Sequence, residues 1–355
     1  MFFERRQITM KRKIFNIVLS IAMIAVVLVG CGKTATPVST TKIPTISVGG
    51  KATHTSGNVA ENGTSTKNAS TVYMTKVIST ASLMKIYKSL DWKPQGKVGV
   101  KLSTGEAGDT YYLHPELIGD LVHAVDGTII ESNTAYGGSR SATAAHRQTI
   151  EDHGFNTIAD VDIMDEEGTK DLAAVPGSVH LKKDTVGSHL ENYNSILVLS
   201  HFKGHVMGGF GGALKNISIG IASKNGKMYI HSGGGTDKTF SPGDQNDFLE
   251  SMAEAAGAVM QDKKGRMVYI SVMNNLSVDC DCVSNPAKPT MGDIGILSSY
   301  DPVALDRACV DLVYADPHGK DLINRIESRN GTLILDHAVD LGIGSQTYQL
   351  KNIDE

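Results

Sequence analysis

Two histidines, two lysines and five glycines fall in one short run: His201-Phe-Lys-Gly-His205-Val-Met-Gly208-Gly209-Phe-Gly211-Gly212-Ala-Leu-Lys215, with His231 sixteen residues further on. Imidazoles move protons near neutral pH and ligate metals. A lysine just beyond a glycine-rich turn binds an anion, or acts as a nucleophile if desolvated. Core packing requires no such combination, so the run is a candidate ligand or cofactor site. His205 and Lys215 are the catalytic candidates; His201, Gly208, Gly209, Gly211 and Gly212 are candidates for cofactor binding. On a helix, the spacing of His201 and His205 would let both rings share a metal. Phe202-Lys203-Gly204 is not helical in type, and no glutamate follows His201, which excludes the zinc-peptidase motif. Metal ligation, substrate or cofactor contact and structural hydrogen bonding all stay open for this pair. The glycine spacing and the missing Lys-Ser/Thr ending also exclude a Walker motif.

A second constellation is Asp279-Cys280-Asp281-Cys282. Alternating thiolates and carboxylates suit a soft transition metal. In an oxidising compartment the two sulfurs could close a strained disulfide, and a purely structural role is the third alternative. Two thiols cannot supply the four sulfurs of a ferredoxin cluster. The metal candidates are thus His231, His201, Cys280 and Cys282, with a transition metal as the expected cofactor class. Arg140, in Tyr136-Gly-Gly-Ser-Arg140, carries a fork that grips carboxylate or phosphate, or forms a surface ion pair. Glu106 follows a strand in the same way. Both are binding candidates.

Positioning these residues requires strands that end beside one another. Lys97–Leu102, Thr128–Glu131, Ser195–Ser200, Arg266–Met273 and Ile294–Leu297 read as strands. Ser82–Leu90, Pro115–Val125, Ala142–His153, Asp247–Met260, a helix opened by Asp301-Pro302 and running to Tyr314, Gly319–Ile326 and Ile334–Leu341 read as helices. The alternation predicts an α/β fold: a mainly parallel sheet with helices on both faces, in one large domain or two intimate lobes over residues 71–355. Cys309 falls in an apolar helical pattern and is expected in the core.

The chain begins with a basic stretch, Arg5 to Lys13, then an apolar run from Ile14 to Val29, ending Leu28-Val-Gly-Cys31. This reads as a secretory signal over residues 1–30, with Met10 an alternative start. The cysteine after Val-Gly resembles a bacterial lipoprotein signal, with Cys31 as the lipidated residue; an uncleaved anchor is the alternative. Residues 31–70 are rich in Ser, Thr, Gly and Asn and cannot bury a core. They predict a flexible tether reaching roughly 35 Å. The expected location is the extracytoplasmic face of the cell membrane, held by lipid. The formal net charge is −4, and removing the five basic residues and one acidic residue of the first 30 leaves −8. An acidic chain without a basic, aromatic-rich patch argues against nucleic acid as a partner. A small molecule or a metal is the expected ligand.

The runs Lys101-Leu-Ser-Thr-Gly-Glu106, Asn133-Thr-Ala-Tyr-Gly-Gly-Ser-Arg140, Ser200-His-Phe-Lys-Gly-His205, Gly208-Gly-Phe-Gly-Gly-Ala-Leu-Lys-Asn216, Asp279–Cys282 and Asp293-Ile-Gly-Ile-Leu297 with Asp301-Pro-Val-Ala304 resemble the bacterial and archaeal family catalogued as domain of unknown function 362. Its members are often labelled iron–sulfur centre proteins. Many relatives carry a four-cysteine ferredoxin insert before the helix that begins here near Asp247. This chain has His231-Ser-Gly-Gly-Gly-Thr there, without cysteine, and Ser103 stands where many relatives have histidine. Locally, His205, Lys215 and His231 are also similar in spacing to the lactate racemase family. In that family the lysine holds a nickel-pincer cofactor covalently and the later histidine ligates the nickel. The resemblance implies an acid/base role for His205, a cofactor anchor at Lys215 and a metal ligand at His231. The function expected is a cofactor, metal or small-anion site performing proton-transfer or redox chemistry. A non-catalytic binding lipoprotein, or an inactive relative of an iron–sulfur protein, is the alternative.

Overall fold

The strand Ser195–His201 has no exposed residue. Ile196 and Val198 enter one apolar core, and Leu197 and Leu199 enter another. A strand covered on both sides belongs in a parallel sheet sandwiched between helices. The computed structural model describes residues 69–354 and has this architecture. Its strands are β1 (Ser70–Thr75), β2 (Val98–Lys101), β3 (Gly127–Glu131), β4 (Val161–Ile163), β5 (Thr169–Ala173), β6 (Lys183–Gly187), β7 (Ser195–His201), β8 (Lys203–His205), β9 (Gly209–Gly211), β10 (Met267–Met273), β11 (Gly295–Ser299) and β12 (Tyr348–Asn352). Its helices are α1 (Thr80–Ser89), α2 (Pro115–Ala124), α3 (Thr143–Asp152), α4 (Ala213–Ile217), α5 (Lys224–His231), α6 (Gln245–Lys263), α7 (Pro302–Ala315), α8 (Lys320–Glu327) and α9 (Leu333–Asp340).

Eight strands form one sheet in the order β12-β1-β11-β10-β7-β2-β3-β4. All neighbours are parallel except where β11 runs antiparallel to β10 and β1. One face packs on α4, α6, α7 and α9, through residues such as Leu214, Phe248, Leu305 and Leu335. The other packs on α1, α2 and α3, through Leu83, Ile118 and Ile150. Cys309 lies in the first of these cores. The described residues belong to one compact unit, and among them no helix is long and apolar enough to cross a membrane.

The topology places the chemistry. From β2 the chain moves outward to β3 and β4, then returns to the other side of β2 as β7 and continues to β10. The sheet therefore reverses direction between β2 and β7, and a crevice opens at the carboxyl ends of strands on either side of such a point. Lys101, Glu131 and His201 are the last residues of β2, β3 and β7.

The structure adds elements that patterning did not announce: β1, β12, the β5–β6 and β8–β9 hairpins and α5. Strands β8 and β9 are three residues each, too short to carry a period. Helix α5 has Gly226 in its interior, because a Cβ there would collide with the Thr185 carbonyl. The predicted tether runs one residue too far: Ser70, its last residue, already pairs with Tyr348. The predicted signal, Cys31 and the rest of the tether lie outside the described residues.

Candidate functional site

Three buried anchors position the functional loops. The first is Asp281, which accepts from Lys203 Nζ at 2.6 Å and lies 2.7 Å from His201 Nδ1. Burial opposes its charge, but Lys203 and His201 outweigh that cost and hold its carboxyl below the ordinary range. Asp281 is held in this ion cluster, and its neighbours Cys280 and Cys282 line a cavity together with His201 and Lys203. The second anchor is Gly204. Its N–H donates to the Ser277 carbonyl at 2.7 Å, and a Cβ there would overlap the Val278 backbone. Only glycine lets the β8–β9 hairpin lie flat on the loop segment leading to the cysteines. The third is Asp306 of α7, whose oxygens accept from Ala213 N (2.7 Å) and Leu214 N (2.9 Å) and so fix α4, which carries Lys215. Burial raises the Asp306 carboxyl to about 7 despite those two bonds. Gly212 is required beside it, because a Cβ would strike the same carboxylate.

The cavity encloses about 760 Å³ between atoms, part of it open to solvent. Five basic side chains line it: Lys101, Arg140, Lys203, Lys215 and Lys227. Glu131 is the sole lining carboxylate. Ion pairing accounts for some of this charge. Arg140 lies 3.5 Å from both Glu106 and Glu131, Lys101 lies 3.5 Å from Glu131, and Lys203 is held by Asp281. Lys215 and Lys227 have no ion-pair partner among the described residues. Burial lowers Lys227 to about 8, with Asp165 and Glu131 resisting; it is still mostly charged at neutral pH.

Two of the cavity histidines, His205 and His231, are fixed in opposite tautomers. His205 Nδ1 accepts from the Gly208 N–H at 2.8 Å, so in the neutral ring the proton sits on Nε2. His231 Nδ1 lies 2.6 Å from the Lys227 carbonyl, which only accepts, so His231 carries its proton on Nδ1 and leaves Nε2 bare. Burial pushes both rings toward the neutral form, with Lys215 adding to the effect: His231 falls to about 4 and His205 well below its ordinary value. His231 is also stacked on Phe248 at 4.8 Å.

Of the residues singled out from sequence, the fold brings His201, His205, Gly211, Gly212, Lys215, His231, Arg140, Cys280 and Cys282 to one cavity wall. Several expected roles change. His201 has Asp281 on one ring nitrogen and the Asn274 carbonyl, at 2.7 Å, on the other, so it offers no lone pair to a metal. Glu106 does not line the cavity; it braces Arg140 and the Ser139 backbone N–H. Gly208 and Gly209 approach Gly331 and the His205 ring rather than a ligand. Sequence reasoning passed over Lys101, Glu131, Lys203, Lys227 and Asp306. For Lys101 and Glu131 a signal existed, since a charged residue ending a buried strand is costly unless it is paired or functional.

Donor chemistry decides whether the cysteine cluster can hold a metal. A ring nitrogen of His205 and the sulfurs of Cys280 and Cys282 lie within 4.8 Å of one another. His205 nevertheless has no lone pair to give, because Nδ1 is occupied by Gly208 and Nε2 is protonated. The neighbouring carboxylates are engaged as well: Asp279 with Ala287 N and Arg325, Asp281 with Lys203 and His201. Only the two sulfurs remain, short of the set that a structural or catalytic zinc requires. The reading of the Asp-Cys-Asp-Cys run as four alternating ligands does not hold. Lys215 and His231 do suit the group implied by the lactate racemase likeness: one is an unpaired amine, the other a bare Nε2 whose Nδ1–H donates to a carbonyl, the arrangement of a ligating histidine.

Among solved structures, the fold is similar to the lactate racemase apoprotein from Thermoanaerobacterium thermosaccharolyticum, at 12% identity, with 69% of this chain and 57% of that chain covered and a TM-score of 0.43. It is also similar to a protein from Thermotoga maritima, at 14% identity, with 65% and 57% covered and a TM-score of 0.39. The chain thus spans just over half the length of each. No curated protein matches it. The three anchors and every lining residue of the cavity lie within residues 98–311, the stretch matched by the model of the family described as Domain of unknown function (DUF362). That match covers more than half of the chain, and the chain belongs to this family.

Proposed function

We propose that this is a lipid-anchored extracytoplasmic protein that takes a small polyvalent anion into the cavity between β2 and β7. The observation that carries the reading is the pair of cavity lysines, Lys215 and Lys227, neither of which forms a salt bridge among the described residues. Two cations that face a recess without a contacting carboxylate focus a positive potential there and attract an anion. Arg140, braced by Glu106 and Glu131, adds a planar fork suited to carboxylate or phosphate. His205, a donor through Nε2–H, and His231, an acceptor through Nε2, supply the two ends of a proton transfer to a bound anion. The membrane anchor is supported by the basic start, the short apolar run and Cys31.

A metal-bearing anionic cofactor is a second reading, favoured by the His231 tautomer. Lys215 and His231 would hold it, and the metal would supply Lewis-acid polarisation of a bound oxygen.

The test is thermal unfolding of the full-length chain in inorganic phosphate or pyrophosphate against chloride at matched ionic strength. A ligand at 100 times its Kd adds about 2.7 kcal/mol, which is roughly 4–5 °C in Tm for a domain of this size. Lys215→Ala and Lys227→Ala should each remove most of that shift. No anion-specific shift, or the same shift in both variants, overturns the reading.

A further inference from the structure

The anion reading leaves Cys280 and Cys282 without a task, although both sulfurs line the same cavity and both are free thiols. Three observations bear on them. Their sulfurs lie within 4.8 Å of one another. The residue between them, Asp281, is locked by His201 and Lys203 at 2.7 and 2.6 Å, so the loop cannot splay and the sulfurs stay adjacent. Apart from the Asp281 carboxylate, which His201 and Lys203 hold, the polar groups that bear on the pair are proton donors or cations. His205 presents Nε2–H, Tyr136 lines the same cavity, and Lys203 and Lys215 act on Cys280 through their charge. Such surroundings repel a divalent cation and favour a thiolate. Burial alone would raise both thiols. Donation from Cys282 and the two lysines instead draw Cys280 well below its ordinary value, while Cys282 keeps the shared proton.

We propose that Cys280 and Cys282 are a redox dithiol that exchanges with a small anionic disulfide admitted to the cationic cavity. In the first step the Cys280 thiolate attacks one sulfur of the disulfide. A Cys280–substrate bond forms, the substrate S–S bond breaks, and one thiolate leaves toward Lys215. In the second step Cys282 Sγ attacks Cys280 Sγ. The mixed disulfide breaks, the Cys280–Cys282 bond forms, and the proton of Cys282 departs with the second half as a thiol. The protein dithiol loses two electrons and the substrate disulfide gains them. The sulfurs need only close to the bonding distance of about 2.05 Å. The redox pair stands on its own geometry; the choice of an anionic substrate rests on the anion-binding reading.

The experiment treats the reduced full-length chain with oxidised glutathione, an anionic disulfide, or with 2-hydroxyethyl disulfide, a neutral one. Each rate is normalised to that of a free dithiol in solution. Mass mapping of the segment carrying both cysteines reports the loss of two hydrogens and separates it from Cys31 and Cys309. The expected result is oxidation within that segment, ~10-fold faster with the anionic disulfide at low salt, a steering preference that Lys215→Ala abolishes. Cys282→Ser should stall as a glutathione adduct on Cys280, and Cys280→Ser should react slowly or not at all. A dithiol that stays reduced, or a purified chain that retains one zinc released by either serine variant, overturns the redox pair. Equal normalised rates for the two disulfides overturn the anionic substrate. The phosphate-induced Tm shift involves no thiol, so it reports separately whether the anion reading has failed.

Discussion

Two regions of the molecule each gather three groups that could ligate an ion, and they differ in what their neighbours do. At the edge of the sheet, beside β4, Asp162, Glu166 and His189 lie within 4.8 Å of one another. Each is already consumed. His189 meets Asp162 at 2.8 Å and Glu167 at 3.2 Å, Tyr193 donates to Asp162 at 2.6 Å, and Arg147 closes on Glu166. In the cavity, His205, Cys280 and Cys282 are just as close, but the pairing sits one layer back, at Asp281 and Asp306. The groups facing the space are left with charge or hydrogen-bonding capacity to spare. Proximity of ligand types is common; rigid support behind an unpaired front distinguishes a site from a salt-bridged surface.

Removing one group from each region breaks this comparison most visibly. Asp281→Ala strands Lys203 and His201 in the interior, and breaking a buried pair in this way costs about 3–5 kcal/mol. Glu166→Ala frees an Arg147 side chain that is 48% exposed, and should cost under about 1 kcal/mol. Urea unfolding of both variants measures the contrast. Equal costs would mean that Asp281 is not a buried anchor.

Acid sharpens the comparison, because the two regions respond with opposite sign. His231 sits near 4 in the fold against an ordinary 6.5, since burial and Lys215 disfavour its charge. Below pH 6.5 the unfolded chain takes up that proton before the folded one does. The contribution of His231 is therefore complete above 6.5 and is lost as pH falls through 4. At about 1.4 kcal/mol per unit this is at most about 3.5 kcal/mol. His189 is raised by its hydrogen bond to Asp162, so its contribution is complete below 6.5 and lost as pH rises through its folded value. His231→Asn keeps a donor toward the Lys227 carbonyl and should flatten the decline in stability between pH 6.5 and 4. His189→Asn should leave that decline in place.

These contrasts also show what the sequence made legible. The α/β sandwich could be read because β7 and β10 are unbroken apolar runs and α7 announces itself with Asp301-Pro302. The cavity could be read in part, because His205, Lys215, Arg140 and Cys280 belong to types that a core does not need. What stayed hidden was pairing across the chain. Asp281 looked like a ligand beside two cysteines until Lys203 and His201, 78 and 80 residues away, claimed both its oxygens. Lys101 and Glu131 looked like ordinary strand ends until strand order put them 3.5 Å apart. Tautomers are hidden for the same reason: the Gly208 N–H and the Lys227 carbonyl that set them are backbone groups, which patterning does not register.

The smallest stability effect belongs to the residue that the proposals need most. Lys215 has no ion-pair or hydrogen-bond partner to strand among the described residues, so Lys215→Ala should change unfolding free energy by no more than about 0.5 kcal/mol. Its charge nevertheless acts on its neighbours, being among the influences that hold both His205 and His231 toward the neutral form. Removing the ammonium relieves that repulsion. Both rings should then titrate at higher pH, and the acid decline in stability should shift upward with them, while stability at pH 7.5 stays level. Imidazole NMR titration of the full-length variant reads this directly. If neither histidine moves, Lys215 does not share their space, and its amine cannot meet an anion in the same cavity.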